Sequence, residues 1–313
     1  MLFLGWSRSI SASDHRRFMI EALRTATVGL GAAQPNPCVG CVIVADGAVV
    51  GRGGHRAAGC EHAEVSALAE AGDRAAGATV YVTLEPCCHH GRQPPCTDQL
   101  IAAGVRHVVV GHRDPDGRVA GKGIAALEAA GITTQISVLE EQCLALNPGY
   151  LHRQRLGRPR VLLKTAATLD GAVATAGGMS QWISSPEARR FVHGLRARFG
   201  AVLVGAGTVR TDAPRLSARF EEPPPWRGND HQPLRLVASH SGEVPGLPSG
   251  ATAWLLSPAA GAAPSYDRQL GSEGTHLDWP EILSELAAAG VNSILCEGGS
   301  GLAKALLEAG VVD

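Results

Sequence analysis

Apolar positions recur at Phe18, Ala22, Ala26 and Leu30, behind Asp14, and this spacing predicts an amphipathic helix that Asp14 caps. The Gln34-Pro35-Asn36-Pro37 loop breaks it. Val39–Val44 and Ala48–Gly53 flank Asp46-Gly47, a tight-turn dipeptide, and read as a hairpin. His62–Ala71 carries a helical pattern that stops at Gly72. Strand patterns at 79–84, 107–111 and 133–138 then alternate with helical ones at 97–103 and 124–130. Such alternation predicts an α/β layer sandwich whose chemistry sits in strand-to-helix loops at one sheet edge. The pattern restarts around Leu156-Gly157-Arg158-Pro159. Strands are expected at 161–166, 201–205, 234–239, 251–257 and 291–296, and helices at 186–198, 281–289 and 301–309. Residues 221–233 and 241–250, rich in Pro, Gly and Ser, read as surface loops. The division is a leader at 1–13, a first domain at 14–150 and a second at 158–313.

Bulk composition agrees with two cores, since 313 residues at 45% hydrophobic content exceed one ordinary domain. The net charge of −1 leaves no basic surplus to neutralise a phosphate backbone, so nucleic acid is not an expected partner. Met1 to Trp6 is apolar but too short for a signal sequence and lacks a basic flank. No apolar run reaches the ~20 residues of a membrane span. A cytoplasmic chain with free thiols is the expectation, despite eight cysteines. No role is assigned to Cys38, Cys41, Cys60, Cys88, Cys143 or Cys296.

The chemistry concentrates in His62-Ala63-Glu64 followed by Pro86-Cys87 and Cys96. One imidazole and two thiolates leave a tetrahedral Zn²⁺ with one position open, which is the catalytic pattern. Glu64, two residues from His62, is placed to exchange protons with water there. This is the arrangement of zinc deaminases, where activated water displaces an exocyclic amine from a ring carbon and the Glu shuttles protons. A purely structural zinc clip would need a fourth ligand, for which Cys88, His89 and His90 are available, but it leaves Glu64 without a task. Between the thiolates runs a loop, Cys88 to Pro95, whose Arg92 can grip a phosphate. Asn36, between two prolines, can read a pyrimidine edge through its amide.

Asn36-Pro37-Cys38-Val39-Gly40, His62-Ala63-Glu64-Val65 and Thr83 to Cys96 resemble the bifunctional deaminase/reductase family of riboflavin biosynthesis. The resemblance covers about 14–313. It implies a cytidine-deaminase-like three-layer α/β/α domain followed by an α/β domain similar to dihydrofolate reductase. The implied reactions are hydrolytic deamination of 2,5-diamino-6-(5-phosphoribosylamino)pyrimidin-4(3H)-one, then NADPH reduction of 5-amino-6-(5-phosphoribosylamino)uracil to the ribitylamino product. On this resemblance Zn²⁺ is held by His62, Cys87 and Cys96, one ion per chain, with Glu64 as proton shuttle. Asn36 touches the pyrimidine, and His55 and Arg92 hold its phosphate. Cys38 stands where the family usually has Asn, and Cys88 where it has Ser.

In the second half, Val202 to Thr208 is a strand running into a Gly turn, and Glu297-Gly298-Gly299-Ser300-Gly301 opens a helix whose N–H groups favour phosphate. Together with Lys164 to Gly171, Ser180-Gln181-Trp182-Ile183 and Thr208 to Asp212, these clusters look like the family's reductase half. The resemblance implies that Ala166, Trp182, Thr208, Asp212, Ser239, Gly299, Ser300, Gly301, Leu302, Ala303, Lys304 and Ala305 line NADPH. It places Lys164, Ser180, Arg196, Leu216, Arg219 and Glu297 on the substrate, with the two arginines on its phosphate. Val311-Val312-Asp313 reads as the approach to a further strand. The reductase half is therefore expected to be truncated and to expose an unpaired edge through which the chain self-associates. A deaminase with an inactive second half is the alternative. Two further readings are a nucleoside or tRNA-base deaminase, which the neutral charge disfavours, and a non-enzymatic zinc-stabilised binding module.

Overall fold

The computed structural model describes residues 11–91, 93–177, 180, 182–222, 230–245, 247, 252–258, 265–271, 274 and 276–313. The chain divides into two units that change over between Leu151 and His152. Only residues 11–13 of the expected leader are described, and they belong to the first helix or its cap.

That helix, α1 (Ala12–Ala26), starts earlier than expected. Ser11 is its N-cap, and Asp14 sits three positions on, returning a carboxylate to the Ser11 N–H at 3.2 Å. The Ser-x-x-Asp pair makes a capping box, so Asp14 completes the cap from within the first turn. The last turn tightens to a 3₁₀ form over Thr27–Gly29, which leaves Leu30 outside the helix. Strands β1 (Gly40–Ala45) and β2 (Ala48–Gly54) pair antiparallel. Asp46 and Gly47, at φ 50 and 77, give the turn between them the handedness of a tight hairpin. Then follow α2 (Ala63–Ala71), β3 (Thr79–Val82), α3 (Cys96–Ala102), β4 (His107–Val110), α4 (Lys122–Ala129), β5 (Thr133–Gln135) and α5 (Glu140–Leu146). The sheet order is β2-β1-β3-β4-β5, with β3, β4 and β5 parallel. On one face Ile43, Val80 and Val108 pack with Ala63, Ala67, Leu100 and Leu127. On the other Val42, Tyr81 and Val109 pack with Phe18, Met19, Ala22 and Cys143. This is the expected three-layer α/β/α arrangement. The site lies, as expected, in strand-to-helix loops on one edge of the sheet, with Cys87 following β3, the middle strand.

An unforeseen helix, α6 (Pro148–Leu156), spans the changeover where the sequence suggested a break. The second unit continues with β6 (Arg160–Leu163), α7 (Pro186–Arg196), β7 (Ala201–Gly205), α8 (Ala206–Asp212) and β8 (Leu234–Ala238). It closes with β9 (Ala253–Leu256), β10 (Arg268–Leu270), α9 (Trp279–Ala288), β11 (Ser293–Cys296) and α10 (Ser300–Glu308). Its sheet runs β10-β9-β8-β7-β11-β6 with every pairing parallel. Both faces are covered, as parallel sheets require. Leu203, Leu236 and Ile294 meet Ile282, Leu283, Leu286 and Leu306 on one side, and Val202, Val237 and Leu295 meet Phe199, Val209 and Leu216 on the other. Asp313 lies along β6: its N–H donates to the Val161 carbonyl at 3.0 Å and its carboxylate accepts the Val161 N–H at 2.9 Å. Among the described residues no helix is long and apolar enough to cross a membrane.

Candidate active site

The first unit brings its chemistry to the loop after β3 and the N-termini of α2 and α3. His62 is the N-cap of α2 and Glu64 stands in that helix's first turn. A Cβ on Gly53 would run into the Ala63 carbonyl oxygen, so the missing side chain lets α2 lie directly on β2 with Glu64 facing inward. Cys96 opens α3 and gives its N–H to Cys87 Sγ at 3.4 Å. His62 Nδ1 lies 3.2 Å from Cys96 Sγ and 3.6 Å from Cys87 Sγ, and all three ligand atoms fall within 4.8 Å of one another. Bond lengths of about 2.1 Å to nitrogen and 2.3 Å to sulfur would separate these donors by roughly 3.6 Å around a tetrahedral ion. The donor set therefore fits Zn²⁺. Among the described residues no other cluster of His, Cys, Asp and Glu converges in this way. Cys88 turns aside, with its thiol toward the Arg118 carbonyl at 3.7 Å.

The electrostatics suit the same reading. The hydrogen bond from Cys96, followed by those from His62 and the Cys96 backbone, pulls the Cys87 thiol down to about 4. Cys96 moves the other way, because its thiol proton is given to Cys87 and the group is buried. His62 is held above its ordinary value by its hydrogen bond to Cys87. Glu64 is only 4% exposed, and burial, with the Cys87 charge adding, pushes its carboxyl up to about 7. A carboxyl at that value both accepts and returns a proton near neutral pH.

Asn36 and His55 are brought together beside this centre. The Asn36 amide nitrogen lies 3.1 Å from His55 Nε2, while His55 Nδ1 lies 2.9 Å from the Glu61 carbonyl. Nδ1 therefore carries the proton and donates to Glu61, and Nε2 accepts from the amide. Burial keeps this ring below its ordinary pKa, so it is a neutral brace with both nitrogens engaged, and not the phosphate contact that the resemblance expects of it. The arrangement leaves Asn36 Oδ1 free of His55. Sequence reasoning missed Asn147, whose side chain accepts the Cys38 N–H at 2.7 Å and donates to the Cys38 carbonyl at 2.8 Å. That two-point clasp fixes the loop carrying Asn36. Its partners lie 109 positions apart, and no local pattern announces them. Arg92 lies outside the described residues.

In the second unit a cavity of about 730 Å³ opens at the carboxyl ends of β7 and β8 beside α10. Ligands of open α/β sheets bind in such crevices. Of the residues expected on NADPH, Ser239, Gly301, Leu302 and Ala305 line it. The run 299–305 contributes only part of itself because it is mostly helix and shows one side to the cavity. Ala303 faces the core and Lys304 pairs outward with Glu308 at 3.1 Å. Gly299 is the N-cap and Ser300 the first helical residue. Thr208 and Asp212 belong to α8, the short helix that replaces the expected Gly turn. Ala166 and Lys164 follow β6 half-buried, Ser180 is exposed, and Trp182 is exposed under the Arg189 guanidinium, 4.3 Å from its ring centre. Arg210, His240, His276 and Trp279 also line the cavity and were not foreseen.

The expected substrate residues gather elsewhere in this unit. Arg196 and Glu297 form a two-point ion pair, Nε to Oε1 at 2.6 Å and Nη2 to Oε2 at 2.9 Å. Arg196 Nη1 also donates to the Ser217 carbonyl, and Arg219 Nη1 to the Ser217 hydroxyl at 2.7 Å. Leu216 is buried at φ 54, a strained value for a side-chain-bearing residue, on the segment that presents Arg219. His193, unforeseen, lies 3.1 Å from the Ser217 carbonyl and 3.3 Å from the Arg219 N–H, bracing that segment from α7.

The family described as the cytidine and deoxycytidylate deaminase zinc-binding region matches residues 12–112, and the RibD C-terminal domain matches 159–313. The riboflavin biosynthesis protein RibD of Escherichia coli (strain K12) is 44% identical over 311 residues, spanning 95% of this chain and 84% of its own length. That of Chlamydia muridarum is 40% identical over 323 residues, spanning 97% and 85%. Among solved structures, a diaminohydroxyphosphoribosylaminopyrimidine deaminase/5-amino-6-(5-phosphoribosylamino)uracil reductase from Thermotoga maritima is similar with a TM-score of 0.84, at 35% identity over 95% of this chain and 84% of that one. Acinetobacter baumannii RibD is similar at 0.85, with 37% identity over 96% and 85%. These similarities run through both halves and lend no support to a deaminase with an inactive second half.

Proposed function

The chain belongs to the RibD family of riboflavin biosynthesis, a bifunctional zinc-dependent deaminase and NADPH-dependent reductase, and from that premise we propose how its residues divide the work. Residues 14–150 form the deaminase domain and 158–313 the reductase domain. His62, Cys87 and Cys96 hold one Zn²⁺, which when bound supplies the Lewis acidity that makes water acidic near neutral pH. Glu64 takes a proton from the attacking water on its carboxylate and returns it to the departing amine. The observation that carries this reading is the convergence of one imidazole nitrogen and two sulfurs within 4.8 Å beside a buried carboxyl poised at about 7. Asn36 reads the pyrimidine through Oδ1, braced by His55, and Arg92 takes the phosphate.

In the reductase domain the hydride belongs to NADPH, and the protein supplies binding and orientation. Ser239, Gly301, Leu302 and Ala305 line the cofactor crevice, with Ala166, Trp182, Thr208, Asp212, Gly299 and Ser300 completing the cofactor-binding set; Ala303, turned to the core, and Lys304, paired outward with Glu308, drop out of it. Lys164, Ser180, Leu216 and Glu297 orient the ribosyl chain, and Arg196 and Arg219 hold its phosphate. The enzyme works in the cytoplasm and self-associates through the reductase domain.

Purified protein incubated with the diaminopyrimidine phosphate tests this. Ammonia release without NADPH, then NADPH oxidation that follows the release, is expected. Absence of ammonia, or NADPH oxidation that precedes it, would overturn the order of reactions. Light scattering of the pure protein reads the assembly, and a monomer at micromolar concentration would remove self-association.

A further inference from the structure

We infer that Glu85 is a positioning residue for the metal centre: its carboxylate ties the N-terminus of α4 to the chain leaving β3, and so fixes where Cys87 presents its sulfur. The inference rests on the zinc site proposed above and deepens it. Glu85 is two residues before Cys87 and only 3% exposed. A buried carboxylate needs partners, and here they are all backbone N–H groups. Oε2 accepts from Asp114 at 3.2 Å and Gly121 at 3.0 Å, and Oε1 from Gly123 at 3.0 Å and Ile124 at 3.3 Å. Its own N–H donates to the His112 carbonyl at 3.0 Å.

Three of these four donors open α4. Gly121 is its N-cap, at φ 89, and offers no side chain to satisfy the first N–H groups. Those groups are orphans in any helix and carry the positive end of the helix dipole. Glu85 satisfies them from another element, which makes α4 a rigid stop behind the zinc loop. The stop also touches the intervening residue. A Cβ on Gly123 would run into the Pro86 carbonyl oxygen and approach Glu85 Oε1 at 3.2 Å. Glu85 and Pro86 are thus both seated on the start of α4, and Cys87 is the next residue along the chain.

A cap that only stabilised α4 would act on melting temperature alone, whereas a positioning residue acts on the metal. The full-length protein is therefore loaded with Co²⁺ in place of Zn²⁺, and its thiolate-to-cobalt absorption and the rate of metal loss to a chelator are recorded. Wild type is compared with Glu85→Gln, which turns an amide N–H₂ toward two of the donors, and Gly123→Ala, which presses on Pro86 while keeping Glu85. Ala125→Gly, on the exposed side of α4, serves as the helix-weakening control. Both test variants are expected to keep wild-type NADPH affinity, lose metal at least tenfold faster, shift the cobalt bands and lower kcat at similar KM for deamination. The control should lower melting temperature and leave the cobalt bands unchanged. Wild-type metal loss and absorption in Glu85→Gln, or the same changes in Ala125→Gly, would overturn the inference. If Glu85→Gln does not fold, Gly123→Ala decides by the same readings. A wild-type protein that takes up no Co²⁺ at all would instead remove the zinc site itself.

Discussion

Glu64, His55 and Cys96 in the first unit are 4%, 3% and 0% exposed, while in the second Trp182 is 71% exposed and Asp212 and Arg219 lie at the surface. The contrast follows from what each site must hold. A metal ion tolerates errors of a few tenths of an ångström in its ligands, so the first unit spends buried polar residues, each with its partner, on exact placement. A dinucleotide brings its own reactive group and spreads its contacts widely, so the second unit offers a broad crevice at strand ends and takes its rigidity from the sheet.

The comparison breaks most visibly at Glu64. Glu64→Ala should keep the metal and lower deamination by about 10²–10⁴-fold, the usual contribution of positioned proton transfer. Oxidation of NADPH on pre-deaminated substrate should stay within a few-fold of wild type. Loss of zinc by elemental analysis would show that Glu64 is a ligand and not the shuttle. Glu297→Ala tests the opposite side. It leaves Arg196, with only 15% of its side chain exposed, without its carboxylate. Removing one member of a buried pair costs about 3–5 kcal/mol, so the second unit should melt well below wild type and its reductase activity should vanish, with ammonia release nearly unchanged. Equal loss of both activities would mean that the units do not work independently.

A ligand sharpens the contrast without any mutation. NADPH at about a hundredfold excess over its Kd should stabilise the second unit by about 2.7 kcal/mol and leave the melting of the first unit where it was. A scan in which both transitions move together, or neither does, would contradict the assignment of the crevice. The smallest effect concerns Asp313. Burial raises its carboxyl, but hydrogen bonds from Arg158 and the Val161 N–H outweigh this and hold it below the ordinary value. A carboxyl lowered on folding stabilises the native state above its unfolded pKa, about 3.9, and loses that contribution as pH falls through the folded value. Melting of the second unit should therefore drop between pH 5 and 3, with Asp313→Asn already lower by about 2 kcal/mol at pH 7 and flatter in its pH response. An identical pH response in the variant would acquit this residue.

Sequence patterning located most elements because the signals were local. Asp46-Gly47 announced the hairpin, and residues 201–205 formed a strand with the bounds expected of it. The failures were also local in origin. Gly205-Ala206-Gly207 reads as a turn, yet only Gly205 is extended, and α8 begins at once after it. α6 carries Gly149 and no apolar periodicity, so no helix was expected at the changeover between the units. In the candidate site the convergence of His62, Cys87 and Cys96 beside the buried Glu64 was legible because their types and spacing are those of a metal chemistry. Asn147, His193 and the cap that Glu85 places on α4 were not, since each acts on backbone groups that only the fold brings near.

Strand β11 has a consequence for how the second unit is made. It lies in the interior of the sheet, between β7 and β6, although it comes from near the end of the chain. Among the described residues β6 pairs within the sheet with β11 alone, so residues 160–163 wait for this strand until 293–296 have left the ribosome. At synthesis rates of about 5–20 residues per second that wait is roughly 6–26 s. Among the described residues the first unit has its last strand by Gln135, well before β11 is made. Until β11 arrives, β6 and one side of β7 are open strand edges in a growing chain. The reductase sheet is thus closed from the middle, and chaperones that bind exposed strand edges have a defined interval in which to act.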